Sequence, residues 1–165
     1  MPGRPDAGPT ASSSVLPAGT DDHVAISDAL LRFAAGVDGG EADLIGSAFA
    51  EDATVDFGPC GAMLGLDFPL LEGRKAIVGF LAATARTQVT THGVTNLRTH
   101  RVGEAATLIA LVEATHILRD APDRRFRMMT RYAADLVRDG ELWRMRRMVI
   151  AGAWSEGEAS VLLAR

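Results

Sequence analysis

From Asp21 onward the apolar positions of the chain recur first at helical and then at strand spacing. In "DDHVAISDALLRFAAGVD", Val24, Ile26, Ala29, Leu30, Phe33, Ala34 and Val37 fall on one stripe, which predicts a helix capped by Asp21 or Asp22 and ended by the glycines beside Asp38. "EADLIGSAF" predicts a second, short helix with Leu44, Ile45, Ala48 and Phe49 on a shared face, and "EDATVDFG" then alternates like a strand. The Gly- and Pro-punctuated stretch 58–72 reads as a loop, a candidate lid carrying Met63, Leu66 and Phe68; "RKAIVGFLAATAR" returns to helical spacing as the third helix.

Beyond that helix the pattern alternates without interruption. Segments 89–102, 104–120, 124–138 and 141–154 predict four long strands, the last two joined at Asp139-Gly140, a strong turn pair. Helices first and a run of strands afterwards is an α+β layout, with a strongly curved antiparallel or mixed sheet wrapped around three N-terminal helices. The Pro-, Gly- and Ser-rich residues 1–20 have almost nothing to bury and are expected to be a disordered tail; 21–158 form the domain and 159–165 a C-terminal tail or lid.

A chain of 165 residues fits one domain, and 47% apolar with only 5% aromatic content implies an aliphatic core. The formal net charge of −4 gives phosphate backbones no reason to bind, so nucleic acid is not an expected partner. The arginines of "RDAPDRRFRMMTR" and "WRMRRM" alternate with apolar residues and read as a solvated strand face, although Arg127, Arg131 or Arg146 could hold an anionic group if turned inward. Cys60 is the only cysteine and reads as a small buried or loop residue. No apolar run is long enough for a membrane helix and no signal-peptide core is visible, which makes the cytoplasm the default expectation and membrane association unexpected.

Two histidines stand out. His92 opens a strand just before "VTN", and His116 interrupts the row Leu108, Ala110, Val112, Ala114, Leu118, whose other members are all apolar. A polar residue in such a row either faces a cavity or needs a buried partner. Asn96 shares parity with His92, subject to any bulge near Gly93. His23 and His100 read as surface residues, and Asp52 as a turn former. The histidines lack the close spacing of metal motifs and no Gly-rich phosphate loop is present, so the expected chemistry uses neither metal nor cofactor.

Three stretches carry a family likeness. "AAGVDGGEADLIGSAFAEDATVDFG" resembles the helix-loop-helix-strand opening of the SnoaL-like branch of the nuclear-transport-factor-2-like superfamily; "THGVTNLRTHRVGEAATLIALVEATHIL" resembles its first long hairpin and "DLVRDGELWRMRRMVIAGAWSEG" its closing one. The likeness spans residues 21–158 and implies a cone-shaped α+β barrel. Within the branch the motifs are most similar to those of scytalone dehydratase and hexachlorocyclohexane dehydrochlorinase, lyases that use an aspartate–histidine dyad. That resemblance implies Asp38 and His92 as the dyad and His116 as a second catalytic histidine. Val37, Phe57 and Arg146 stand at or near the family's pocket positions, and Asn96 and Val112, inward by strand parity, are expected to line the substrate pocket with them. Val37 and Phe57 stand where scytalone dehydratase has tyrosines, and Phe33 where the dehydrochlorinase has a lysine.

A carboxylate on one imidazole nitrogen fixes the tautomer and leaves the other free to take a proton. The leading expectation is therefore a cofactor-independent, dehydratase-like lyase acting on an apolar cyclic or polyketide-derived small molecule. An isomerase or cyclase of a secondary-metabolite pathway could use the same dyad, and a non-catalytic subunit of the ring-hydroxylating dioxygenase small-subunit type is the alternative from another class. A homodimer or homotrimer joined through the outer sheet face is expected.

Overall fold

The computed structural model describes residues 19–164, so the expected disorder of residues 1–18 falls outside the described residues. The elements run α1 (Thr20–Gly39), α2 (Ala42–Ser47), β1 (Phe49–Asp56), α3 (Gly58–Leu64), β2 (Leu71–Glu72), α4 (Arg74–Thr87), β3 (Gln88–Val102), β4 (Ala105–Leu118), β5 (Arg125–Asp139) and β6 (Leu142–Gly157), closed by a 3-10 helix at Ala159–Leu163. The six strands form one open, curved sheet in the order β2-β1-β6-β5-β4-β3. The long strands β3 to β6 pair antiparallel in sequence, whereas β1 joins β6 in parallel, which makes the sheet mixed.

Strict alternation drives the long strands. Along β4 each second residue from Ala106 to Leu118 is buried and its neighbours are not, so one face of the sheet builds the core and the other is exposed. The inner face closes over α1 and α4. Ile26, Leu30, Phe33 and Val37 of α1 lie in that core with Ile77 and Leu81 of α4 and Leu108, Phe126, Leu136, Met145 and Met148 of the sheet. No described helix is long and apolar enough to cross a membrane.

Several sequence expectations need correction. The N-cap of α1 is Gly19, without a side-chain cap, because the Asp22 carboxylate instead pairs with Arg101 of β3 at 2.6 Å. Val24 leaves the predicted stripe and is 62% exposed. The stretch expected to be a loop holds α3, which Pro59 starts and left-handed Gly65 stops. Its Cys60 and Gly61 are buried, so tertiary packing orders a segment whose composition reads as loop. Thr20 already belongs to α1, and at the other end Val161 and Leu162 are buried within the 3-10 helix.

Candidate active site

The helices and the inner sheet face leave a cavity of about 70 Å³ lined by Phe33, Val37, Phe57, Cys60, Phe68, Phe80, Leu81, Thr84, Gln88, His92, His116, Met128, Tyr132, Ile150 and Leu162. At ~10–15 Å³ per water it takes on the order of five waters. Its walls are mostly aliphatic and aromatic, and the polar groups are concentrated on β3, β4 and β5.

The first residues of β3 explain that concentration. Gln88, Thr90 and His92 alternate along its inner face, an unusually polar row for a sheet interior, and each has a hydrogen-bond partner. Asp38, in the last turn of α1, meets two of them. Its Oδ1 lies 2.6 Å from Nδ1 of His92 and accepts the Thr90 hydroxyl at 2.8 Å, while Oδ2 accepts the His92 backbone N–H at 2.8 Å. Left-handed Gly40 ends α1, and its N–H returns to the carbonyls of Gly36 and Val37, so the helix stops with the aspartate facing β3.

Burial raises the Asp38 pKa, but the hydrogen bond from the His92 ring, the attraction to that ring, the His92 backbone N–H and Thr90 outweigh it and hold the carboxyl below its ordinary value. Asp38 is thus an anion held in one orientation. With Nδ1–H of His92 directed at the carboxylate, the lone pair of the neutral ring sits on Nε2. The His92 side chain is only 6% exposed, and its ring stands edge-on to Phe33 at 6.0 Å and to His116 at 6.0 Å.

His116 is buried on β4, opposite Thr90 in the β3–β4 register, and its Nδ1 lies 2.8 Å from Oε1 of Gln88. On β5, Tyr132 packs against Phe33 and lines the same cavity. Burial pushes its phenol well above the usual tyrosine value, with the nearby Cys60 and Asp38 adding to the shift and a hydrogen bond with Thr130 opposing it. Burial likewise raises the Cys60 thiol, whose Sγ lies 3.7 Å from Sδ of Met128, an environment opposed to a thiolate nucleophile.

The structure thus brings Asp38, His92, His116, Val37 and Phe57 to one place. Asn96 lies elsewhere: the β3–β4 register shifts between Thr95 and Arg98, and Asn96 sits exposed at that bulge with φ 53°. Val112 packs in the core outside the cavity lining. Arg146 points to the outer surface, paired with Asp52 at 2.8 Å, and Arg127 pairs there with Glu156 at 3.1 Å. His23 bonds Thr99 at 2.9 Å, away from the cavity. Sequence reading missed Gln88, Thr90 and Tyr132. The first two share the parity of His92, and the third continues the alternating row Phe126, Met128, Thr130.

The sequence matches the family model for the SnoaL-like domain over residues 19–149. No curated protein sequence matches it. Among solved structures, a candidate aromatic ring hydroxylase from Novosphingobium aromaticivorans superposes with a TM-score of 0.77 at 21% identity, over 88% of this chain and 99% of the other. A candidate scytalone dehydratase from the same organism gives 0.72 at 18%, over 84% and 88%. A hexachlorocyclohexane dehydrochlorinase from Novosphingobium barchaimii gives 0.68 at 17%, over 84% and 91%. At these identities the likeness establishes the shared fold.

Proposed function

The chain belongs to the SnoaL-like domain family, and we propose that within it this protein is a cofactor-independent lyase of the dehydratase type, using Asp38 and His92 as a general-base dyad. The observation that carries the reading is the 2.6 Å contact between Asp38 and Nδ1 of His92 at the wall of an apolar cavity. Nε2 of His92 removes a proton from a carbon acidified by its neighbours. The C–H electron pair forms the new double bond, the C–O bond on the adjacent carbon breaks, and the hydroxide leaves as water with the proton His92 has taken. Asp38 keeps the ring oriented and offsets the imidazolium charge while it lasts, and the proton transfer by His92 is worth typically 10²–10⁴-fold in rate. In this reading His116, 6.0 Å from His92 by ring centroids, contacts the leaving oxygen.

The lining favours a small apolar, cyclic substrate: four phenylalanines and five other apolar side chains, Val37, Leu81, Met128, Ile150 and Leu162, surround the polar row. The solved relatives named as a dehydratase and a dehydrochlorinase support an elimination. Product analysis tests it. Release of water or an anion with gain of a double bond is expected from cyclic β-hydroxy or β-halo compounds; rearrangement without any leaving group would instead make the dyad that of an isomerase or cyclase.

The same proposal includes self-association. The outer face of the sheet presents Ile109, Leu111, Met129, Ala133, Val149 and Trp154 on three adjacent strands, around the exposed Arg131. A patch of that kind suits a second copy of the chain.

A further inference from the structure

Gln88, the first residue of β3, is 1% exposed, and both ends of its side chain are engaged. Nε2 donates to the backbone carbonyl of Ala164 at 3.0 Å, and Oε1 lies 2.8 Å from Nδ1 of His116. The same carbonyl accepts the Thr87 hydroxyl at 3.1 Å, so the chain just after the 3-10 helix is anchored at this point. A carbonyl oxygen only accepts, so the bond to Ala164 decides which end of the amide faces the histidine. The end facing His116 is an acceptor. Nδ1 of His116 therefore carries the proton of that bond.

We propose that Gln88 is a positioning residue of the cavity, which holds His116 as its Nδ1–H tautomer and so makes Nε2 the hydrogen-bond acceptor of the neutral ring. The amide is oriented in turn by the Ala164 carbonyl, which ties the C-terminal segment to the chemistry of a side chain on another strand. Parity explains why one residue can do this. Gln88 and His116 lie on adjacent antiparallel strands, diagonal to each other on the inner face, since Gln88 registers with Leu118 and Thr90 with His116.

The consequence for reaction rests on the lyase reading above. The two histidines are oriented by partners of different charge, His92 by an anion and His116 by a neutral amide. An imidazolium on His92 is offset by the Asp38 carboxylate at 2.6 Å. As the Nδ1–H tautomer, His116 presents an acceptor and not a donor at Nε2.

The tautomer is read without substrate by long-range 1H–15N NMR of the full chain labelled at histidine, with the His116 signals identified by their loss in His116→Asn. The expected wild-type result is a protonated Nδ1 and an unprotonated Nε2 at His116 in the neutral ring. In Gln88→Leu the two nitrogen shifts move toward each other as the preference is lost; in Gln88→Glu, which retains an acceptor, the proton stays on Nδ1. A wild-type Nε2–H tautomer overturns the proposal, and so does an unchanged Nδ1–H preference in folded Gln88→Leu, which would leave Gln88 as a tie for the C-terminus alone. Should Gln88→Leu fail to fold, the wild-type spectrum and Gln88→Glu decide. Turnover by His92→Ala judges the lyase reading separately.

Discussion

Asp38 holds His92 twice: Oδ1 meets the ring Nδ1 at 2.6 Å, and Oδ2 accepts the backbone N–H of the same residue at 2.8 Å. Ring and strand are therefore fixed by one carboxylate, and its charge matters for stability as well as for chemistry. Because the folded-state pKa of Asp38 is depressed below its ordinary 3.8, the group stabilises the fold above the unfolded value and loses that contribution as pH falls through the folded one. Asp38→Asn is expected to cost about 1–2 kcal/mol at neutral pH. Denaturant unfolding of both proteins should show that gap intact above about pH 5 and shrinking below the ordinary carboxylate value.

Tyr132 is the only tyrosine in the chain, so alkaline difference absorbance reports on it alone. Burial raises its pKa, and the folded state therefore keeps its stabilising contribution below the unfolded tyrosine value and loses it as pH rises further. Phenolate absorbance is expected to appear only together with loss of the fold, followed by circular dichroism. A separate titration near pH 10 in the folded protein would place the phenol in water.

Gly40 tests the positioning of Asp38 through the backbone. It has φ 68°, and a Cβ there would approach Cβ of Ala85 to 2.8 Å. Gly40→Ala is expected to lose about 1–2 kcal/mol from the left-handed conformation alone, with a further penalty from the contact with α4. Thermal unfolding should show a lower midpoint.

How much of this was legible follows from which residues carry a periodic signal. The alternation of β4 is unbroken, and it placed His116 on the inner face because every neighbour at its parity is apolar. Asn96 failed the same rule, since the bulge between Thr95 and Arg98 resets the parity and leaves no apolar partner to reveal it. Helix α3 was unreadable for another reason: Gly58, Pro59 and Gly61 spell a loop, and only the close approach of Leu66 O to Gly61, 2.5 Å from where a Cβ would stand, shows why glycine is required. Tyr132 sat in plain alternation, but from sequence a lone tyrosine in an apolar row is indistinguishable from core. Gln88 begins a strand at a helix end, where a polar residue needs no explanation until the fold buries it.

Self-association has its own test at Trp154, which is 40% exposed beside Met129 on the outer face. The double variant Leu111→Glu, Trp154→Glu places two charges in the patch. Light scattering after gel filtration should give a dimer or trimer for the wild type and a monomer for the variant, with the melting curve of the isolated fold preserved.

The central claim, that His92 takes a carbon-bound proton in this cavity, is tested most directly in deuterium oxide. Wild type and His92→Ala would be incubated with cyclic β-hydroxy and β-halo compounds, and loss of the acidic C–H signal followed by NMR. The account predicts C–H loss in the wild type and a reduction of roughly 10²–10⁴-fold in His92→Ala, with circular dichroism showing the fold retained. Equal C–H loss in the two proteins would contradict it.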